Sequence, residues 1–457
     1  MEEAVKQRRC CGLDVHKETI FACVLSPQGD KPVQKLFGTF RNDLIRMRVW
    51  LKQMGVTEVA MESTGVYWKP VWNVVEGHGF RLVLANPQQV KALHGRKSDK
   101  RDSRRIAEFL HDKRLDSSFV PPAEIRELRM LTRLRVSWLQ QRNEVHNQIR
   151  DLLETVNIKL SSVASDIMGV TGKNILTAIA NGMDSPEQLS WKARGSLRKK
   201  EAQIKESLKG QYSPFFQQML QMHLRHYEFL TGQVERIEQQ IAKHVEPFEK
   251  QMLLLCTIPG VERVIAWTML GEMGADMSVF PTAGQCASWA GLCPGQNESA
   301  GVQKSTRTKK GNRYLRRGLT QSAWAISHKK DGYLRALFYR VKASRGWSKA
   351  IVAVAHKVMV IAYEILKSGQ PYRDLGGDYF DRLNPGRTVR RLTARLERIG
   401  YTVTLSPRDA EVANPEKDLL KLASAVESEV QQPVKRKRGR PRKTPAVGPT
   451  SPVLSAP

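Results

Sequence analysis

The chain has 457 residues, 74 of them Lys or Arg against 45 Asp or Glu, for a formal net charge of +29. That length exceeds one typical domain, and 41% hydrophobic with 26% charged residues suits a chain that folds around real cores. No run approaches the roughly 18 apolar residues of a membrane span, and so large a cationic surplus calls for an anionic partner, most naturally a nucleic-acid backbone.

The opening nine residues mix acids with bases and lead into no long apolar run, unlike a secretory signal. Six cysteines are scattered at 10, 11, 23, 256, 286 and 293 without a Cys-x-x-Cys pair, so a reduced, cytoplasmic setting is expected. Residues 11–15 and 19–25 read as paired strands, and 58–62 and 80–84 as two more. Between them, residues 42–54 carry helical spacing through Leu44, Ile45, Val49 and Leu51. Strands alternating with helices over residues 1–120 imply an α/β sheet covered by helices.

Four acids in this region attract notice. Asp14 sits inside an apolar strand, where a charge is costly unless neutralised. Glu62 ends another apolar strand, just before Ser63-Thr64-Gly65. Asp99 and Asp102 lie in Lys97-Ser98-Asp99-Lys100-Arg101-Asp102, ahead of a helix over 103–110, at a spacing that shares one helical face. If the strands are neighbours and that helix crosses their ends, the four carboxylates converge. A hard divalent cation such as Mg²⁺, which favours oxygen ligands, would relieve their repulsion. Two such ions can activate a nucleophile and stabilise the leaving oxygen of a phosphodiester. Taken singly, Asp99 reads better as a helix cap and Asp102 as the partner of an arginine such as Arg105; the combination of four is what points to a metal site.

From Pro121-Pro122, residues 121–250 are strongly helical. Leu128, Leu131, Trp138, Val145, Ile149, Leu152 and Val156 recur near heptad spacing, as do Leu220, Leu224, Tyr227, Leu230, Val234, Ile237, Ile241 and Val245. A coiled coil, within or between chains, and an ordinary helical bundle both satisfy this pattern. Arg135 and Arg142 interrupt the first seam.

Residues 251–370 are mostly helical around a central loop. Residues 253–261, followed by Ala266, Met269 and Leu270, read as a helix-hairpin-helix whose Pro259-Gly260 turn opens a helix with free N–H groups. Lys309, Lys310, Arg313, Arg316 and Arg317 suit a nucleic-acid backbone, with Arg316 at a helix start the best phosphate contact. Tyr67, Trp68 and Trp289 either stack on a base or, the commoner fate of aromatics, pack in a core. Residues 371–430 form a small extension with a helix over 389–399 and a strand over 401–405. Residues 431–457 contain no acid and should be a disordered basic tail. Its Arg438-Gly439-Arg440-Pro441 resembles an AT-hook, whose arginines enter a narrow minor groove, or else forms part of a non-specific basic tail.

Gly12-Leu13-Asp14-Val15-His16-Lys17, Met61-Glu62-Ser63-Thr64-Gly65-Val66-Tyr67 and 97–102 together resemble the DEDD-type transposases of bacterial insertion sequences. That family includes the Piv-type DNA invertases and the bridge-RNA-guided recombinases. The resemblance covers roughly residues 8–370 and continues through Ile258-Pro259-Gly260-Val261, Ala290-Gly291-Leu292-Cys293-Pro294, Glu298-Ser299-Ala300-Gly301 and Lys310-Gly311-Asn312-Arg313. It implies a RuvC-like, ribonuclease H-fold domain over 1–120 in which Asp14, Glu62, Asp99 and Asp102 bind Mg²⁺. It further implies a helical, coiled-coil region and a mostly α-helical transposase domain whose nucleophile is Ser299. Two departures stand out: Ser103 occupies a position where alanine is commoner, and Ala300 intervenes between Ser299 and its glycine. Ser288 and Ser305 are weaker candidates for the nucleophile. The implied partners are DNA at the element ends and target, a structured non-coding guide RNA, and further copies of the chain as a dimer or tetramer. The same residues also permit an invertase of this family, a junction-resolving nuclease using the acids alone, or a DNA-binding protein without catalysis.

Overall fold

The computed structural model describes residues 8–26, 31–63, 65–86, 99–295, 297–299, 302–305 and 307–405. The chain opens with β1 (Cys10–Val15), β2 (Thr19–Leu25), β3 (Val33–Gly38), α1 (Arg41–Gln53), β4 (Glu58–Glu62), α2 (Trp68–Val75), β5 (Arg81–Ala85) and α3 (Asp99–His111). The strands form one mixed sheet in the order β3-β2-β1-β4-β5, in which β2 runs antiparallel to both neighbours and β1, β4 and β5 run parallel. Apolar residues on both faces of β1 and β4 mark central strands covered twice. α1 and α2 cover one face, burying Leu44, Met47, Leu51, Val71 and Trp72 against Leu13, Val59 and Met61. α3 covers the other, with Ile106 and Leu110 against Cys10, Ala60, Val83 and Ala85. The expected strands and the expected first helix are present. β3 is an addition: its exposed first four residues leave an edge strand with little apolar signal.

α4 (Ala123–Thr155) then runs about 50 Å. Four short helices follow, α5 (Leu160–Val163), α6 (Val170–Ala180), α7 (Pro186–Ser190) and α8 (Glu201–Ser207), and α9 (Pro214–Val245) returns along α4. The start of α9 is set by Ser213, whose hydroxyl accepts from the Phe216 N–H, and by Pro214 in the first turn. The pair is antiparallel within one chain: His244 faces Glu127 at 3.6 Å, Arg135 Nε donates to Glu238 at 2.7 Å, and the Arg142 guanidinium lies 5.7 Å from the Tyr227 ring. The two arginines that interrupt the apolar seam are thus matched by polar or aromatic partners on the facing helix. α5 to α8 enclose the far end in a separate apolar cluster.

A second helical core is built on the near half of α4 and on α10 (Glu249–Cys256), α11 (Arg263–Met273), α12 (Ala283–Trp289), α13 (Arg313–Ser327), α14 (Tyr333–Arg345), α15 (Trp347–Ser368) and α16 (Tyr379–Leu383). A ribbon of β6 (Asn297–Ser299) and β7 (Val302–Ser305) stands between α12 and α13. α15, a long and largely apolar helix, lies at the centre of this core, and among the described residues no helix is long and apolar enough to cross a membrane. Tyr372, Leu375, Tyr379 and Phe380 pack on it, so residues 371–383 belong to the core rather than to an extension. The separate unit begins at Asn384, whose side chain accepts from the Arg387 N–H and starts α17 (Pro385–Arg398). The strand expected over 401–405 is absent: the segment has no strand partner among the described residues, so its β-favouring residues have no ladder to join.

Candidate functional site

Strand register decides where the acids fall. Leu13 of β1 pairs with Met61 of β4, so the next residues, Asp14 and Glu62, follow the last parallel pair side by side: Glu62 ends β4 and Asp14 is the penultimate residue of β1. Asp14 is flanked on its other side by Phe21, and Glu62 by Ala85. Alternation places Asp14 on the face of Gly12, and Glu62 on the face of Ala60. That face is the one α3 crosses. A Cβ on Gly12 would lie 2.2 Å from the Ser103 carbonyl oxygen and 2.4 Å from the Ala107 nitrogen, so the helix backbone rests directly on the strand. Ser103, where the resembled family more often has alanine, is buried in this contact. Its hydroxyl donates to the Lys100 carbonyl at 3.1 Å, which satisfies the polar atom locally. The same carbonyl ties the first turn to β3, because Gln34 Nε2 also donates to it, at 2.7 Å.

Asp14 sits 3.1 Å from His16 Nε2 and keeps little exposure. Asp102 is half-buried on α3 and 3.8 Å from Arg105, the arginine pairing weighed from the sequence. Asp99 is the first residue of α3, one turn earlier than the spacing predicts, and its side chain lies outside the described residues. The sheet thus brings Asp14 and Glu62 side by side, and α3, the helix that carries Asp99 and Asp102, passes over their strands. Among the described residues no three His, Cys, Asp or Glu side chains are gathered as a metal-holding group. Burial pushes the Cys10 thiol up to about 11 and the Cys286 thiol up to about 12, so neither offers a thiolate at neutral pH.

Ser299 occupies the end of β6, paired with Val302 of β7. Its side chain lies outside the described residues, as does that of Ser305, while Ser288 is half-buried on α12. The base of the ribbon is a close backbone crossing. Gly295 N–H donates to the Arg307 carbonyl at 2.8 Å, Pro294 bridges to Thr308, and a Cβ on Gly311 would lie 2.3 Å from the Gly291 nitrogen. Immediately afterwards Asn312 caps α13, accepting from the N–H groups of Tyr314 and Leu315. Lys309, Lys310, Arg313 and Arg317 are exposed along this stretch, and Arg316 is half-buried. Arg313 donates to the Tyr314 hydroxyl at 2.7 Å. Arg438 and Arg440 lie outside the described residues.

The spacing argument does not single out Glu272, which the structure makes the anchor of this region. Glu272 is fully buried in α11. Arg133 of α4 donates to both of its carboxylate oxygens, at 2.7 and 2.8 Å, and the Asn312 side chain donates to the same group. Arg129 adds an ion pair at 3.3 Å and donates to the Gly271 carbonyl at 3.0 Å. Burial lowers the Arg129 pKa to about 10, opposed by the Glu272 charge. A signal was available: an acid between Leu270 and Met273 in an apolar helix needs a partner as much as Asp14 does. The turn at Pro259-Gly260 is not open to a ligand on all sides, because a Cβ on Gly260 would lie 2.8 Å from the Ser322 carbonyl of α13. Trp289 and Trp68 also take the packing role: Trp289 meets Phe119 and Phe280, at 5.7 and 5.4 Å, and Trp68 meets Trp72 edge-on. Tyr67 remains 44% exposed.

Comparison with known proteins gives this arrangement its class. Residues 11–158, the sheet domain and α4, match a transposase domain of the DEDD, IS110 type, and residues 252–340 match the Transposase IS116/IS110/IS902 family. A probable family 20 transposase of Pseudomonas aeruginosa is 26% identical over 340 residues, covering 72% of this chain and 89% of that one. The transposase for insertion sequence element IS1111A of Coxiella burnetii is 24% identical over 383 residues, covering 81% and 93%. A mixed sheet followed by a basic helical domain, with such relatives, is a transposase, an enzyme that cuts and rejoins DNA. More particularly, the chain belongs to the DEDD-type insertion-sequence transposases of the IS110/IS116/IS902 family.

Proposed function

We propose that this transposase recombines an insertion sequence by Mg²⁺-dependent strand cleavage, with Asp14, Glu62, Asp99 and Asp102 as the metal-binding acids and Ser299 as the nucleophile. What supports it most is the register of β1 and β4, which follows their last parallel pair with a carboxylate on each strand, on the face crossed by α3. An all-oxygen donor set suits Mg²⁺. The four acids would hold the ion, and when bound it supplies charge neutralisation and activation of oxygen nucleophiles.

The chain's own groups do the rest. Ser299 Oγ attacks the scissile phosphorus, its proton passes to a base, and the DNA 3′ or 5′ oxygen leaves. The product is a serine phosphodiester that conserves the bond for rejoining. The exposed Lys309, Lys310, Arg313 and Arg317 hold the phosphates on either side and spread the charge that develops. The acids and the serine come from separate parts of the chain, so the site is composite, formed within one copy or between copies of a dimer or tetramer. A structured RNA from the element guides the choice of donor and target.

Trapping decides the reading. Protein incubated with Mg²⁺ and an element-end duplex, then denatured, should carry a covalent DNA adduct that maps to the Ser299 peptide. Ser299→Ala and Asp14→Ala should each abolish it. Cleavage that survives Ser299→Ala at the wild-type rate would show a nuclease using the acids alone. Sequencing the nucleic acid that copurifies with the protein should recover one discrete RNA from the element's flank; its absence, with cleavage at one inverted pair of sites, would indicate an invertase.

A further inference from the structure

A cationic corner lies where α14 turns into α15. Between Asp331 and Glu364 the sequence holds no acid, while Arg335, Arg340, Lys342, Arg345, Lys349 and Lys357 all fall inside that stretch. Residues 342–349 are exposed without interruption. Gly346 makes the turn at φ +81°, a conformation that any other side chain would strain. Two aromatics face solvent here: Trp347 is 46% exposed and Tyr339 44%.

Neither ring is loose. Trp347 stands edge-on to the buried Phe338, with centroids 6.4 Å apart, and Tyr339 stands edge-on to the same ring at 5.3 Å. Lys342 Nζ lies 5.5 Å from the Tyr339 centroid, and the Arg335 guanidinium lies 4.6 Å from it. α15 also begins at this point with no side chain capping its first N–H groups. A single exposed tryptophan needs no special account. Two pinned aromatics in an acid-free cationic corner are different, because rings offer flat faces to bases while the cations neutralise phosphates on either side. In a duplex the bases are already stacked on one another, so a platform of this kind serves unpaired strands.

We infer that the α14–α15 corner binds single-stranded DNA, with Trp347 stacking on an unpaired base and Lys342, Arg345 and Lys349 holding the flanking phosphates. DNA is the occupant because it is the strand this family cuts and rejoins, and strand exchange leaves bases unpaired while the ends are moved. The inference rests on that substrate and not on which side chains break the strand.

The test uses the full-length protein without metal and two labelled probes, a short oligothymidylate and a hairpin duplex. Trp347→Ala should weaken single-strand binding about tenfold, the size of one base–aromatic stack, with little change on the duplex. Trp347→Phe should keep most of the affinity. Bromodeoxyuridine placed in the single strand should crosslink, in the wild-type protein, to the peptide carrying Trp347. Equal losses on both probes, or a crosslink elsewhere, would overturn the inference. So would an RNA strand of the same base sequence that binds more tightly than the DNA and depends on Trp347. Because nothing is cleaved in this assay, a failure here leaves the cutting chemistry standing, and a missing Ser299 adduct leaves this corner standing.

Discussion

The two parts of the proposed site are held in place by different physics. In the sheet domain, Asp14 and Glu62 are positioned by backbone: a parallel register and a glycine on which α3 lies directly. The period-2 alternation of a strand fixes which way each acid points. In the helical domain, the ribbon that carries Ser299 rises next to a buried carboxylate, and α4, α11 and the start of α13 are tied together through Glu272. Backbone contact tolerates little change of volume. A buried charge network tolerates little change of partner. Each part should therefore fail in its own way.

The largest effect is expected at Glu272. Glu272→Ala leaves the mostly buried Arg129 and the half-buried Arg133 without their carboxylate; removing one partner of a buried network costs about 3–5 kcal/mol, and water at the Arg133 guanidinium keeps the loss near the low end of that range. Denaturant unfolding should show the loss. Amide exchange should then report lower protection over α11 and α13, while β1 and β4 stay protected. Uniform loss across both domains would mean that they unfold as one unit and would erase the distinction. The reciprocal change is Gly12→Ala, where the new methyl group meets backbone at 2.2 Å and α3 must shift, at a cost of about 1–3 kcal/mol. Its protection should fall in α3 and β1 and hold in α11. Gly311→Ala, 2.3 Å from the Gly291 nitrogen, should cost a similar about 1–3 kcal/mol and lower adduct yield at Ser299 more than it lowers melting temperature. A Gly311→Ala protein with full stability and full adduct yield would show that the ribbon does not depend on that crossing.

How much of this is legible in the sequence follows from the same contrast. The sheet is readable because strand burial writes a local pattern: 19–25 and 58–62 coincide with β2 and β4, and the apolar setting of Asp14 is visible without coordinates. β3 is not, because an edge strand with exposed Val33 and Leu36 carries no apolar alternation. In the helical domain the helix-hairpin-helix is readable from Pro259-Gly260, yet the arginine partners of Glu272 lie more than a hundred positions earlier in the chain. No local period encodes a contact of that separation. The matched positions of Arg135 and Arg142 opposite Glu238 and Tyr227 are hidden for the same reason. The segment 401–405 errs the other way, since β propensity says little where no neighbouring strand exists.

The smallest effect tests the joint between the two domains. Phe119 packs on Phe280 at 5.1 Å, in the helical core, while its neighbour Val120 packs on the sheet core. Beside them Arg126 of α4 donates to both carboxylate oxygens of Glu76, just beyond α2, at 2.9 and 2.6 Å. That bond to Arg126, with help from Trp72 and against some burial, holds the Glu76 carboxyl below the usual glutamate range. A depressed folded value means that the pair's contribution is complete above the unfolded pKa, about 4.3, and disappears as pH falls through the folded value. Glu76 is 38% exposed, so screening limits the contribution to about 0.5–1 kcal/mol. Glu76→Gln should therefore lower stability slightly at pH 7, and the gap from wild type should close below about pH 4 and shrink in high salt. Phe119→Ala should cost several times more at every pH, because it removes an aromatic contact with no titrating group. If instead the Glu76→Gln gap matched that of Phe119→Ala and persisted into acid, the joint would be governed by a polar contact other than this ion pair. The two domains would then be coupled by an uncharged polar contact rather than by the apolar insertion of one aromatic ring.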